Sequence, residues 1–136
     1  MKLYIQPDLE KSRSMIKLVS KRKDFINKFK NKAFTTVICE NYYEIIKELA
    51  TALFLSKGIK FVGEYAHKEL IEETIKFLNL ETSYFVFLDD LRIRRNGSLY
   101  YGEPFEDIYL KNNENKIKFI ISSVEKFLNK EFGDIK

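Results

Sequence analysis

Three arginines, an asparagine and two tyrosines crowd the stretch Leu91–Gly102, LRIRRNGSLYYG, directly after an apolar helical pattern. Residues of these types can form a catalytic centre, a grip on phosphates, or a polar seam between helices. Continued as a helix at 100° per residue, Leu88, Arg92, Arg95 and Leu99 share an arc with Leu91, whereas Ile93 and Arg94 point elsewhere. Arg95 therefore falls on or near the apolar face. An arginine facing a core costs several kcal/mol unless it is paired and hydrogen-bonded. Something must answer it: a carboxylate, backbone carbonyls, a second subunit or a bound phosphate. Glu44 and Glu48 of an earlier helix are the candidate carboxylates; Glu48, three residues after Ile45, sits beside the inward stripe, and Asn41 lies there too. Gly97 weakens the helix by about 1 kcal/mol relative to alanine, enough to let it loosen and swing Tyr100 back toward Arg95.

Other chemistries find less support. His67 is the only histidine. It stands three residues before Leu70 and four before Ile71, which predicts a histidine packed among helices. No second histidine or cysteine pair completes a metal site. A Ser/His/Asp arrangement has no positional support, and no glycine-rich loop follows a strand to cradle a nucleotide. Tyr100, Tyr101 and Phe105, next to Arg92, Arg94 and Arg95, have the makeup to stack on unpaired bases. They are equally suited to pack a bundle or a dimer seam, as are Tyr42 and Tyr43.

Long helices must position these residues, because five glycines and two prolines are few for 136 residues. Pro7-Asp8 opens a first amphipathic helix running to about Lys30, with Leu9, Ile16, Val19 and Ile26 near one stripe and Asn31 as its break. A second helix is expected over Lys32–Lys57, ended by Gly58. Ile59–Gly63 reads as a connector. A third helix covers Glu64–Leu78, with Leu70, Ile71, Ile75 and Leu78 inward and Asn79 as its end. The fourth begins near Thr82 and runs into the arginine stretch, stopping at the turn Gly102-Glu103-Pro104. The last spans about Phe105–Phe132, with Ile117, Ile120, Ile121, Val124 and Leu128 inward and a weak polar stretch over 111–115. No strand alternation is visible. The fold expected is all-α, an up-and-down bundle of four to five helices.

The composition, 45% hydrophobic and 32% charged, suits one compact domain and argues against disorder. No window approaches the roughly 18 apolar residues of a membrane span, and Met1–Glu10 lacks the apolar run of a signal peptide. One cysteine, Cys39, excludes an internal disulfide and predicts cytoplasmic residence. The net charge of +4 is unevenly spread: residues 1–32 hold 10 Lys/Arg against 3 Asp/Glu, and the rest is net acidic. Such a basic segment either attracts a polyanion or is a solvated lysine-rich helix face.

Over about residues 8 to 130 the chain resembles the HEPN domains of archaea and bacteria. The resemblance lies in YEIIKELATALFLSKGIK (Tyr43–Lys60), HKELIEE (His67–Glu73) and above all LRIRRNGSLYYG. HEPN domains are all-α bundles that usually form homodimers. Many are metal-independent ribonucleases with an Arg, a gap of four to six residues and a His, the two motifs meeting across the dimer seam. Others are inactive interaction modules, and many sit beside a minimal nucleotidyltransferase in toxin–antitoxin pairs. The resemblance implies one HEPN-like domain over residues 1–136, associated with RNA, homodimeric and needing no metal or cofactor. Arg95, Asn96 and Tyr100 take its catalytic positions, and Arg92, Arg94 and Tyr101 are candidate nucleic-acid contacts. The departure is Tyr100, or Tyr101 with a gap of five, where the family carries histidine. A phenol with a reference pKa near 10 is a poor base at neutral pH. The expectation is thus a weakened endoribonuclease or a non-enzymatic dimeric module whose arginines form a polar seam.

Overall fold

The structure is a computed structural model and describes residues 1–30 and 32–133. Asp8 starts α1 (Leu9–Lys28): its carboxylate accepts the Lys11 amide at 3.0 Å. A 3₁₀ turn over Lys32–Phe34 leads into α2 (Thr35–Ser56), so the second helix begins three residues later than its periodicity suggests. The break expected at Asn31 lies outside the described residues.

The wide apolar arc of α2 has a structural consequence. The helix is central, and α1, α3, α4 and α5 all pack on it. Ile38, Ile45, Leu49, Ala52 and Leu53 are buried, as are Tyr42, Tyr43 and Ile46. Ser12 of α1 fastens the first pair of helices, its buried hydroxyl lying 2.8 Å from the Ala52 carbonyl oxygen.

Gly58 ends α2 in the left-handed region, at φ +74°. Its carbonyl accepts the Ile5 amide at 2.8 Å, and a Cβ built there would stand 2.4 Å from the Ile5 carbonyl oxygen. This close approach introduces what periodicity missed. Ile59–Phe61 is not a plain connector but a strand, β2, paired antiparallel with β1 (Lys2–Tyr4). Strands of three residues are too short for alternation to register.

Helix α3 (Ala66–Phe77) is shorter than expected at its start and stops at Asn79, at φ +55°. Leu70, Ile71 and Ile75 face inward. Helix α4 (Thr82–Tyr101) runs unbroken through Gly97, which does not loosen it. Glu103 folds back over that glycine, its amide donating to the Gly97 carbonyl at 3.2 Å, while Gly102 takes φ +68° to close the helix end. Helix α5 (Asp107–Phe132) buries the five residues expected of it. The stretch 111–115 is helical rather than loose, and Glu114 accepts the Tyr42 hydroxyl at 2.7 Å. One buried apolar cluster draws on all five helices, giving the all-α up-and-down bundle with a small two-stranded sheet beside it. Among the described residues no helix is long and apolar enough to cross a membrane.

Candidate functional site

Glu40, Glu44 and Glu48 recur every fourth residue on α2 and so form one acidic stripe. Cations from two neighbouring helices answer it. From α1, Arg22 grips Glu48 with a fork, Nε to Oε1 at 2.8 Å and Nη2 to Oε2 at 3.2 Å, while its Nη1 donates to Asn41 Oδ1 at 2.9 Å. From α4, Arg95 donates through Nη2 to Glu44, and the Ser98 hydroxyl donates to Glu40 at 2.8 Å. Lys47 also pairs with Glu44, at 2.8 Å. The inward arginine is thus answered by a carboxylate of its own chain. Glu48, the other candidate, serves Arg22 of the basic first helix. Sequence reasoning passed over Arg22, although its spacing, three after Val19 and four before Ile26, both buried, marks it as inward.

Arg95 is oriented rather than used up. A guanidinium carries five N–H donors, and Glu44 takes one of them. Its plane also lies over the Tyr43 ring, 5.4 Å from the centroid. The side chain forms part of the wall of two cavities. One, of about 340 Å³, is bounded by Arg22, Glu40, Asn41, Glu44 and Leu99. The other, of about 210 Å³, lies between α4 and the start of α3. It gathers Arg92, Arg95, Asn96 and Tyr100 from α4 with Tyr65, His67 and Lys68 from across the cleft.

The remaining arginines are held locally. Arg92 Nε donates to Asp89 at 2.9 Å. Arg94 Nε donates to Asp90 at 2.8 Å, and the guanidinium lies over the Tyr109 ring at 4.7 Å. That bond raises the Arg94 pKa further. Arg94 lies on the opposite side of α4 from the cleft. Tyr100 and Tyr101 are exposed, and so is Leu99, which does not join the buried arc of Leu88 and Leu91. Tyr42 and Tyr43 are in the core.

His67 departs from expectation. It is an exposed residue at the first turn of α3 rather than one packed among helices. Leu70 and Ile71 do turn inward, but the first turn of α3 overhangs the cleft. Its pKa is lowered from the ordinary histidine value, first by partial desolvation, then by the positive charges of Lys47, Arg95 and Arg92, with Glu44 opposing them.

A larger cavity, about 540 Å³, lies between α1, α2 and α5 and shares no lining residue with the cleft. Its floor is Ile26 and Ile38, and its carboxylates are already engaged, Asp107 by Thr35 and Glu114 by Tyr42. Cys39 is buried in the core, where desolvation and then Glu114 and Glu40 push its thiol up to about 12, which makes it a poor nucleophile. No group of His, Cys, Asp and Glu suited to hold a metal ion occurs among the described residues.

Comparison with protein-family models, with curated proteins and with solved structures finds no match to this chain.

Proposed function

We propose that the chain is an RNA-associated, HEPN-like protein whose α3–α4 cleft receives a backbone phosphate. One observation carries this reading: the 210 Å³ cleft unites Arg92, Arg95, Asn96 and Tyr100, four residues of the motif that bears the resemblance, with Lys68 opposite. Two guanidiniums on one wall suit a phosphate, because charge-assisted bonds to its oxygens are stronger than neutral ones. Arg95 reaches the cleft with donors left over from Glu44, and Asn96 offers an amide beside it. Tyr100, exposed at the rim, stacks on an unpaired base. Any cleavage is metal-independent attack by the ribose 2′-hydroxyl, with Arg95 stabilising the charged phosphorus intermediate. The resemblance adds a homodimer, a toxin–antitoxin setting and a minimal nucleotidyltransferase as partner.

Labelled single-stranded RNA in EDTA tests the reading. Binding should weaken steeply as salt rises, and Arg95→Ala should lower affinity about tenfold and flatten the salt dependence. Absence of both binding and cleavage at low salt would remove it.

A second reading, a non-enzymatic dimeric interaction module, is favoured by a different observation. Val86, Ile93 and Tyr100 lie seven residues apart along α4 and are 61%, 55% and 69% exposed. That spacing drifts only about 20° per heptad, so the three form a nearly straight apolar stripe suited to a second copy. In this reading the Arg95–Glu44 and Arg22–Glu48 pairs brace α4 and α1 on α2, and the motif holds the helix that pairs.

A further inference from the structure

We infer that His67, and not Tyr100, is the proton-transferring catalytic residue of the α3–α4 cleft. The inference rests on the RNA reading above and adds a group from outside the motif. Its ground is geometric: the first turn of α3 lays the only histidine of the chain along the wall that faces Arg92, Arg95, Asn96 and Tyr100. A histidine near guanidiniums is held neutral at pH 7, and a neutral imidazole accepts a proton where a phenol does not.

Charged groups stand around the ring from several elements. Arg92 and Arg95 face it from α4, and Lys47 and Glu44 from α2. Glu64 and Lys68 flank it on its own segment. Lys11 of α1 and Lys60 of β2 stand across a neighbouring cavity of about 190 Å³ that His67 also borders. Cations outnumber carboxylates in this set, so both desolvation and charge disfavour imidazolium.

In the step, the ribose 2′-hydroxyl gives its proton to the His67 imidazole and its oxygen forms a bond to phosphorus. The P–O5′ bond breaks, and the 5′-oxygen leaves with the electron pair and takes a proton from water. The imidazolium then returns its proton to the hydroxide so formed. The products are a 2′,3′-cyclic phosphate and a 5′-hydroxyl, with no co-reactant consumed. Arg95, bonded to Glu44, meets the charge on the phosphoryl oxygens.

The test uses the full chain with labelled single-stranded RNA in EDTA, measuring binding and cleavage separately, with end-group analysis of products. Wild type should bind and cleave. His67→Gln should lower the cleavage rate about 100-fold or more. The wild-type rate should rise with pH through a pKa below the ordinary histidine value and then level off, a limb that His67→Gln lacks. Thermal melts of His67→Gln and His67→Asn guard against loss of fold, which an exposed position makes easy to meet. Binding without cleavage by wild type overturns the inference and leaves the RNA reading standing. So does cleavage by His67→Gln at the wild-type rate, or a larger loss in Tyr100→Phe than in His67→Gln. Absence of binding by wild type overturns both.

Discussion

Arg95 and Glu44 are each mostly shielded from solvent, so neither charge is cheap to leave alone. Glu44→Gln should destabilise the fold by about 1–3 kcal/mol, read as a fall in the midpoint of thermal or urea unfolding. An unchanged midpoint would mean that Glu44 does not hold Arg95. Glu44 and Glu48 were both legible as candidate partners, but periodicity did not choose between them; the packing of α1 gives Glu48 to Arg22 and leaves Glu44 to Arg95. The placement of His67 at the cleft was not legible. Its neighbours Leu70 and Ile71 suggest packing, and only the crossing of α3 over α4 brings its ring to the cleft. Its lowered pKa has a second consequence with a definite sign. The unfolded chain, with histidine near 6.5, takes up the proton before the folded one does. His67 therefore costs no stability above that value, and folding weakens as pH falls through it toward the lower folded pKa. Comparing melts at pH 5 and pH 7.5, wild type should lose more stability on acidification than His67→Gln.

Gly58 and Gly97 show how differently two glycines constrain their elements. At Gly97 a Cβ would meet the Glu103 carboxylate at 2.9 Å, the far end of a side chain that can swing away. At Gly58 it would meet backbone, and the residue also holds φ +74°. Gly58→Ala should cost upwards of about 1 kcal/mol in urea unfolding from the left-handed conformation alone, and the clash with Ile5 adds to it. Gly97→Ala should be neutral or gain up to about 1 kcal/mol from helix propensity. Equal effects at the two sites would contradict the described turn between α2 and β2. Helix identities and the inward residues of α5 were legible because their period holds over many turns. The paired strands were not, because Lys2–Tyr4 and Ile59–Phe61 are each three residues long and the partners are far apart in sequence. The polar run 111–115 misled because its helix is fixed by tertiary contacts, among them the Tyr42–Glu114 bond, rather than by local propensity.

At the scale of the whole molecule, the uneven charge finds a partial explanation inside the fold. Arg22 and Lys23 of the basic segment pair with Glu48 and Glu125, and Lys2 with Glu73. Part of the surplus is thus a means of docking α1 and β1 onto the acidic remainder, which composition alone does not separate from a polyanion-binding face. The apolar stripe of α4 makes its own prediction. If Val86, Ile93 and Tyr100 seat a second copy, Ile93→Lys should convert dimer to monomer in sedimentation velocity without lowering the thermal midpoint measured at monomer-dominated concentrations. A monomer in wild type at all concentrations would remove the pairing role. The proposed capture of an RNA phosphate by the cleft bearing Arg95 has a decisive assay. That assay is equilibrium binding of the full chain to labelled single-stranded RNA in EDTA, across a series of salt concentrations, beside Arg95→Ala. Log affinity should fall linearly with log salt, with weaker binding and a shallower slope for the variant. Identical affinity and slope for the two proteins, or no binding by either at low salt, would contradict it.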